Sequence, residues 1–422
     1  RPPVSGTSTG MDSTPPPPLP SEVPRVDEGA PGVEELQDAL RPAWADVDLA
    51  ALEHNLAHVR ERLAGSEARA MAVVKADAYG HGAEEVSRAL EGAGVDWLGV
   101  ALLEEGAKIR RAGVEIPILV LGTARPAKMG LYARYRLTPT VSSLAEVARW
   151  RDWTAGNREP QPVHLKVDTG MGRLGVAMEE VSRALEILRG HPGLRLAGLF
   201  SHFGDADDLA SPRNDSQEDR FASVLALLTP EEREGALIHM ANSAAALHRP
   251  GSRHALARLG LAIYGLDPAG LPTGLQPVMS VRAQIVHLKE VPAGTALSYS
   301  GRTVTRRRSR IAVVPVGYAD GYAWRLTGKA EALVRGRRVP LAGSVTMDMT
   351  LLDVTDTGAE LGEEVVLLGR QGSEEVTATE LATHAGTISW EILCHLGLRL
   401  PRRYVREGRV EELMSRFSRE DT

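Results

Sequence analysis

At 422 residues the chain is long enough for two domains with cores of their own. Its 43% hydrophobic and 25% charged residues are the balance of an ordinary globular protein. A net charge of -6 gives no electrostatic reason to expect nucleic acid or an anionic membrane, the lone Cys394 excludes an intrachain disulfide and any multi-cysteine metal site, and no apolar run approaches bilayer-spanning length.

Residues 1–40 are rich in Pro, Ser, Gly and Glu, with a proline run from Pro15 to Pro18, and offer little apolar surface to offset ordering entropy. They read as a disordered tail, with Glu34 to Leu40 a candidate short helix at its end. The chain starts at Arg1, and Met11 is a candidate later start. No basic-apolar signal segment stands out, so a cytoplasmic location is expected, with the periplasm as the alternative.

From 41 to 275, short apolar runs alternate with stretches of helical period. The runs are Met71 to Ala76, Trp97 to Ala101, Ile116 to Leu121, Leu137 to Val141, Val163 to Val167, Leu194 to Phe200, Leu237 to Met240 and Leu259 to Tyr264. Val181, Leu185 and Leu188 show the intervening spacing of three and four, and Ser143 with Glu146 suggests a capping box. Eight such alternations predict an α/β fold with an N-terminal (β/α)8 TIM barrel. From 276 to 415 the rhythm changes to strand-like runs such as Val281 to Val286, Arg310 to Val316, Ala330 to Val334, Met349 to Val354 and Glu364 to Leu368. These predict a C-terminal, mostly β domain, interrupted by helical passages near Glu380 and in TISWEILC, with residues 416–422 as a second tail.

Within the barrel, Met71-Ala72-Val73-Val74 runs straight into Lys75, and Gly80 and Gly82 interrupt any regular element that follows. A lysine at such a strand end is half in the core, where desolvation lowers its pKa and frees an amine for Schiff-base chemistry. A snorkelling lysine is the plainer alternative. Four more groups stand at strand termini: Lys166 to Gly175 (KVDTGMGRLG) runs past the end of the fifth strand, Ser201-His202 and Asn242-Ser243 follow the sixth and seventh, and Arg258-Leu259-Gly260 opens the eighth. Each alone has an ordinary structural reading. Five at the ends of five strands, on the face where barrel active sites lie, are hard to attribute to chance.

Lys75 and Tyr79 in VVKADAYGHG resemble the pyridoxal-phosphate lysine segment of bacterial alanine racemases, and the resemblance runs from about Trp44 to Tyr404. It implies an enzyme that interconverts L- and D-alanine, supplies D-alanine for peptidoglycan and carries pyridoxal 5'-phosphate (PLP) on Lys75. By the same resemblance Tyr79, Ser243 and the Gly260 backbone hold the phosphate, with Asn242 close by, and Arg258 meets the pyridine nitrogen. A guanidinium only donates, which keeps that nitrogen unprotonated and weakens the electron sink. Racemisation needs bases on opposite faces of one carbon. The resemblance assigns them to Lys75 and to Tyr299 of a second subunit, with His202 and Arg258 in a row behind, hence a homodimer with shared sites. It places Arg173 and Met347 on the substrate, Tyr318 at the entrance, and a carbamate on Lys166 beside Arg173. No metal is implied.

Some positions depart from the family pattern. Trp390 stands where tyrosine is usual, and Trp324 and Ser344 where many relatives have entrance arginines, while Asp207 matches the acidic entrance partner. These departures motivate a broad-specificity amino-acid racemase as the alternative. A PLP-binding carrier or homeostasis protein would need no second base, and a related decarboxylase would lack the racemase-like KVDTGMGRLG and LSYSG segments.

Overall fold

The computed structural model describes residues 41–124, 128–156 and 159–414. Both expected tails and the Glu34 to Leu40 helix lie outside these. Eight strands form one all-parallel sheet: β2 (Arg69–Val73), β3 (Trp97–Val100), β4 (Ile118–Thr123), β5 (Leu137–Val141), β6 (Gln161–Lys166), β7 (Leu194–Phe200), β8 (Leu237–His239) and β9 (Leu256–Leu259). Spatially the order is β8-β7-β6-β5-β4-β3-β2-β9. The seam between β8 and β9 is closed by Ala255 N–H to Ile238 O at 2.9 Å and Arg258 N–H to Ala241 O at 3.0 Å. Strands covered on both faces need not alternate, and β5 is accordingly buried at every position. Ser143 caps the helix Leu144–Thr154 through Glu146 N–H. The Glu146 carboxylate, however, reaches one residue further back, to Ser142 N–H and Oγ.

Two expectations are corrected. The eighth strand is Leu256–Leu259 rather than Leu259 to Tyr264. Residues 260–265 form successive tight turns, with Ile263 N–H to Gly260 O, Tyr264 N–H to Leu261 O and Gly265 N–H to Ala262 O. The run Leu261 to Tyr264 is buried because it packs in the core, which a turn can do as well as a strand. Arg258 is therefore inside the strand, and Gly260 follows its C-terminal end.

The domain boundary also moves. The first strand, β1 (Ala43–Asp48), is outside the barrel: it lies antiparallel to β10 (Met279–Gln284) and parallel to Arg402–Arg406. Its alternating burial is that of a sheet covered on one face. From β1 in the β domain the described chain enters the barrel through the helix Leu49–Leu63 and returns at β10. That domain has one large sheet, in the order Arg337–Pro340, Glu331–Val334, Glu364–Gln371, β10, β1, Arg402–Arg406, Arg409–Met414. A second sheet holds His287–Val291, Ser309–Val314 and Thr350–Asp353. Among the described residues no helix is long and apolar enough to cross a membrane.

Successive inward side chains of one barrel strand are two residues apart, so the barrel fills in layers. Met71, Leu119 and Leu256 form an apolar plug with Trp97, Leu121 and Leu237. Two residues further along their strands, Arg258 takes the place of Leu256 and Lys166 that of His164.

Candidate active site

At the C-terminal ends of the barrel strands a cavity of about 460 Å³ is lined by Lys75, Tyr79, Lys166, Arg173, His202, Asn242, Ser243, Arg258, Gly260 and Trp390, together with Asp207 near its edge. The five sequence-distant groups singled out above therefore converge on one space.

Lys75 is held by unusual backbone. Strand β2 ends at Val73, and Ala76 through Tyr79 all have φ between 53° and 55°, one turn of left-handed helix. Such a turn costs about 1–2 kcal/mol per residue, so it persists only where surroundings impose it. The Glu105 carboxylate accepts from Ala76 N–H at 2.7 Å and from Ala101 and Leu102 N–H, tying the turn to the end of β3. Asp77 Oδ1 accepts from Ala83 N–H at 3.0 Å. From the β domain, the buried Arg402 donates Nε–H and Nη2–H to Gly80 O at 3.1 and 2.8 Å. Its remaining donors meet the carbonyls of Leu396, Gly397 and Leu400. The lysine is thus presented by both domains. Burial, and then the nearby Arg173 cation, lower its pKa, which raises the neutral, nucleophilic fraction.

Arg258 is buried and its charge has no carboxylate partner among its bonds. Nη1 donates to His239 Nδ1 at 2.8 Å and His239 O at 3.2 Å. Nη2 reaches Ser201 O, His202 Nδ1 and Met240 O at 2.7, 3.0 and 2.9 Å. These acceptors occupy both Nη groups and leave Nε–H as the donor for the cavity that Arg258 lines. Burial lowers the guanidinium to about 9. Because an arginine accepts nothing, His202 must present a bare Nδ1 and keep its proton on Nε2. Burial and the adjacent Arg258 hold its pKa well below the usual value.

Just past the end of β9, Ser243 Oγ accepts from Gly260 N–H at 2.8 Å and Ala262 N–H at 3.3 Å, and Asn242 caps the following turn through Ala245 N–H. A Cβ at position 260 would stand 2.7 Å from Tyr79 Oη. Glycine there keeps two hydroxyls and the backbone N–H groups around one small space. The Tyr79 ring rests on Tyr264, whose Oη donates to Val73 O. Lys166 lies 5.6 Å from the centre of the Phe200 ring, and burial followed by the Arg173 cation lowers its pKa to about 8.

Tyr299, Tyr318 and Met347 are elsewhere. They belong to the β domain and are 74%, 43% and 52% exposed. Tyr299 sits on a short turn flanked by Ser298 and Ser300, both at positive φ, over the buried Ser344. Tyr318 and Met347 share a platform, Tyr318 N–H bonding Thr346 O and Ala319 N–H bonding Met347 O. Trp324 is exposed beneath the Arg302 guanidinium. Four residues that shape the site escaped the sequence reading: Glu105, Arg402, His239 and His164. The histidines left a signal, since a polar residue inside a wholly apolar strand run needs a partner. The other two left none, because the backbone groups through which they restrain the lysine turn, Ala76 N–H and Gly80 O, are distant in sequence.

Family models agree with this architecture: the alanine racemase N-terminal domain matches residues 47–268 and its C-terminal domain residues 278–404. The alanine racemase of Halothermothrix orenii is 40% identical over 368 residues, 86% of this chain and 97% of that one. That of Symbiobacterium thermophilum is 42% identical over 373 residues, 87% and 98%. Among solved structures, the Bacillus anthracis alanine racemase with bound L-Ala-P superposes with a TM-score of 0.82 at 36% identity, covering 89% of this chain and 98% of that one. The Bartonella henselae alanine racemase, with covalently bound pyridoxal phosphate, gives 0.79 at 29% identity, covering 86% and 99%. With barrel, β domain and most of its length accounted for in this way, the chain belongs to the alanine racemase family.

Proposed function

We propose that this racemase moves the α-proton of alanine between two bases, Lys75 of one subunit and Tyr299 of another, with PLP as cofactor, and so supplies D-alanine for peptidoglycan from the cytoplasm. The observation that carries the reading is the convergence of Lys75, Arg258, Tyr79, Ser243 and Gly260 on one cavity. The residues fit the cofactor. Lys75 offers an amine with a lowered pKa, the space beside Gly260 suits a phosphate, and Arg258 Nε–H suits a ring nitrogen without a proton. The covalent pyridoxal phosphate of the Bartonella relative supports the same choice.

When bound, PLP would act as an electron sink for the carbanion left at Cα. Lys75 Nζ would take or return the proton on one face. Arg258, donating only, limits how far charge spreads into the ring, which favours return of the proton to Cα. Arg173 on the cavity wall would orient the substrate. A second base is needed on the other face, and Tyr299 is displayed to solvent beside the Tyr318–Met347 platform, away from the barrel site of its own chain. Exposed Tyr299 on its positive-φ turn, with exposed Tyr318 and Met347 on their platform, suits insertion into the mouth of another copy, hence a homodimer with shared sites.

Chiral chromatography of an amino-acid panel, with PLP present, tests the substrate. Alanine should turn over faster than serine or the basic amino acids. Comparable rates across the panel would favour the broad-specificity reading, which rests on Trp390 in the cavity wall.

Lys166 should carry a carbamate. Two neighbouring cations, Lys166 and Arg173, stand where a guanidinium needs an acceptor, and a pKa of about 8 leaves a neutral fraction of the amine. That amine adds to CO₂, releases a proton and becomes an anion that can accept from Arg173. In ¹³C-bicarbonate the protein should show a carbamate resonance that Lys166→Ala removes. The same substitution should lower kcat/KM by roughly tenfold, the scale of one charge-assisted hydrogen bond. A bare amine in fully active protein would sink the assignment.

A further inference from the structure

Behind Arg258, away from the cavity, lie two buried histidines. His239 Nε2 is 2.9 Å from His164 Nδ1, and both rings are fully buried. The direction of every proton in this row follows from the guanidinium. Arg258 Nη1–H donates to His239 Nδ1, so neutral His239 carries its proton on Nε2. That proton can only point to His164 Nδ1, which puts the proton of His164 on Nε2. His164 Nε2 is buried with no partner among the described residues.

Reversing the row would keep the bond between the histidines, now from His164 Nδ1–H to His239 Nε2, but it would set His239 Nδ1–H against a guanidinium N–H, two donors head to head. Leaving one N–H orphaned at the far, apolar end is the cheaper arrangement. Burial and the surrounding arginines hold both rings neutral, His164 down to about 3.

The packing around the row is built to hold these rings. His164 meets the Trp97 ring at 5.5 Å, and His239 stacks on Phe200 at 4.5 Å with 6° between planes. On the neighbouring strand, Gly198 pairs with His164 in register, and a Cβ there would stand 2.4 Å from His164 Nδ1. The imidazole occupies space that only a glycine leaves. An apolar side chain here would only move the orphaned N–H from His164 to His239, so the effect of the histidine is to put the unpaired donor one ring further from Arg258.

We propose that His164 is a positioning residue: by accepting from His239 Nε2–H it anchors the His239 ring, whose tautomer Arg258 sets, and through that ring it helps place the Arg258 guanidinium. The role toward the cofactor rests on the ring-nitrogen reading of Arg258; the anchoring of His239 does not.

The test uses the holoenzyme labelled with ¹⁵N-histidine. His239, assigned by loss of its signals in His239→Asn, should show a single Nε2–H tautomer in the parent. In His164→Leu the tautomer should stay, because Arg258 still donates to Nδ1, but the Nε2–H resonance should lose its hydrogen-bonded shift, the cofactor absorbance should change its pH profile, and kcat should fall on the order of tenfold, about one net hydrogen bond. Thermal stability should change little, because the orphaned donor only moves from His164 to His239. His164→Asn, whose amide oxygen can accept in place of Nδ1, should restore the Nε2–H shift and most of kcat. Should His164→Leu fail to fold, Gly198→Ala displaces the same ring and carries the same expectations. An unmoved Nε2–H resonance in the folded variant, or a shifted one at parent kcat, would overturn the proposal. Parent kcat in Arg258→Lys would instead remove the ring-nitrogen reading and leave the anchoring of His239 standing.

Discussion

Lys75→Ala should fold with unchanged thermal stability, bind PLP only reversibly, and lose racemase activity by roughly four orders of magnitude, the upper range for removing a group that moves the proton itself. Stability is spared because the substitution removes a half-buried amine that desolvation penalises, while the left-handed turn begins one residue later and keeps its bonds to Glu105 and Arg402. The parent should show a visible chromophore that borohydride reduces, leaving cofactor mass on the Lys75 peptide. Cofactor mass on Lys166 or any other lysine, with Lys75 free, would overthrow the assignment. Lys166 is the serious competitor, since it lines the same cavity with a lowered pKa.

Tyr299→Phe should be nearly as inactive, by roughly two to four orders of magnitude in kcat. It should leave folding untouched, because it deletes one hydroxyl from a side chain that is 74% exposed. The loss should also be one-sided. In deuterated water one enantiomer should still exchange its α-proton through Lys75, while the other should not. If each site draws Lys75 from one chain and Tyr299 from the other, mixing the two inactive variants regenerates activity. In a mixed dimer, the intact Lys75 faces the intact Tyr299 in one site, and both defects meet in the other. Mixed dimers that form without any recovery would end the shared-site reading. Parent-rate racemisation by Tyr299→Phe would end the tyrosine assignment altogether.

The cavity residues were legible because barrel strands end in a common plane. A residue that ends a buried apolar run, such as Lys75 or Lys166, is placed by that fact alone on the active face. The inward set was partly legible too, since a spacing of two puts His164 with Lys166 and Leu256 with Arg258 on one side of their strands. Burial of Leu261 to Tyr264 misled for a matching reason: a short apolar run reports exclusion from water, and a strand and a packed turn are excluded alike.

Local pattern in the sequence by itself determined the two-domain plan, the barrel count and the position of the lysine, because each rests on contiguous residues whose periodicity and breaks follow from backbone geometry. Tertiary structure alone decided what pairs across distance. It placed β1 in the β domain, since the AWADVD alternation requires a half-covered sheet but does not say which one. It imposed the left-handed turn after Lys75, where the local bond from Ala83 N–H to Asp77 is joined by restraint from Glu105, 29 positions beyond Ala76, and from Arg402, 322 beyond Gly80. It also ordered His202, Arg258, His239 and His164 into one row, because a buried donor takes whichever acceptor the closing barrel brings within reach, and closure is a property of all eight strands together.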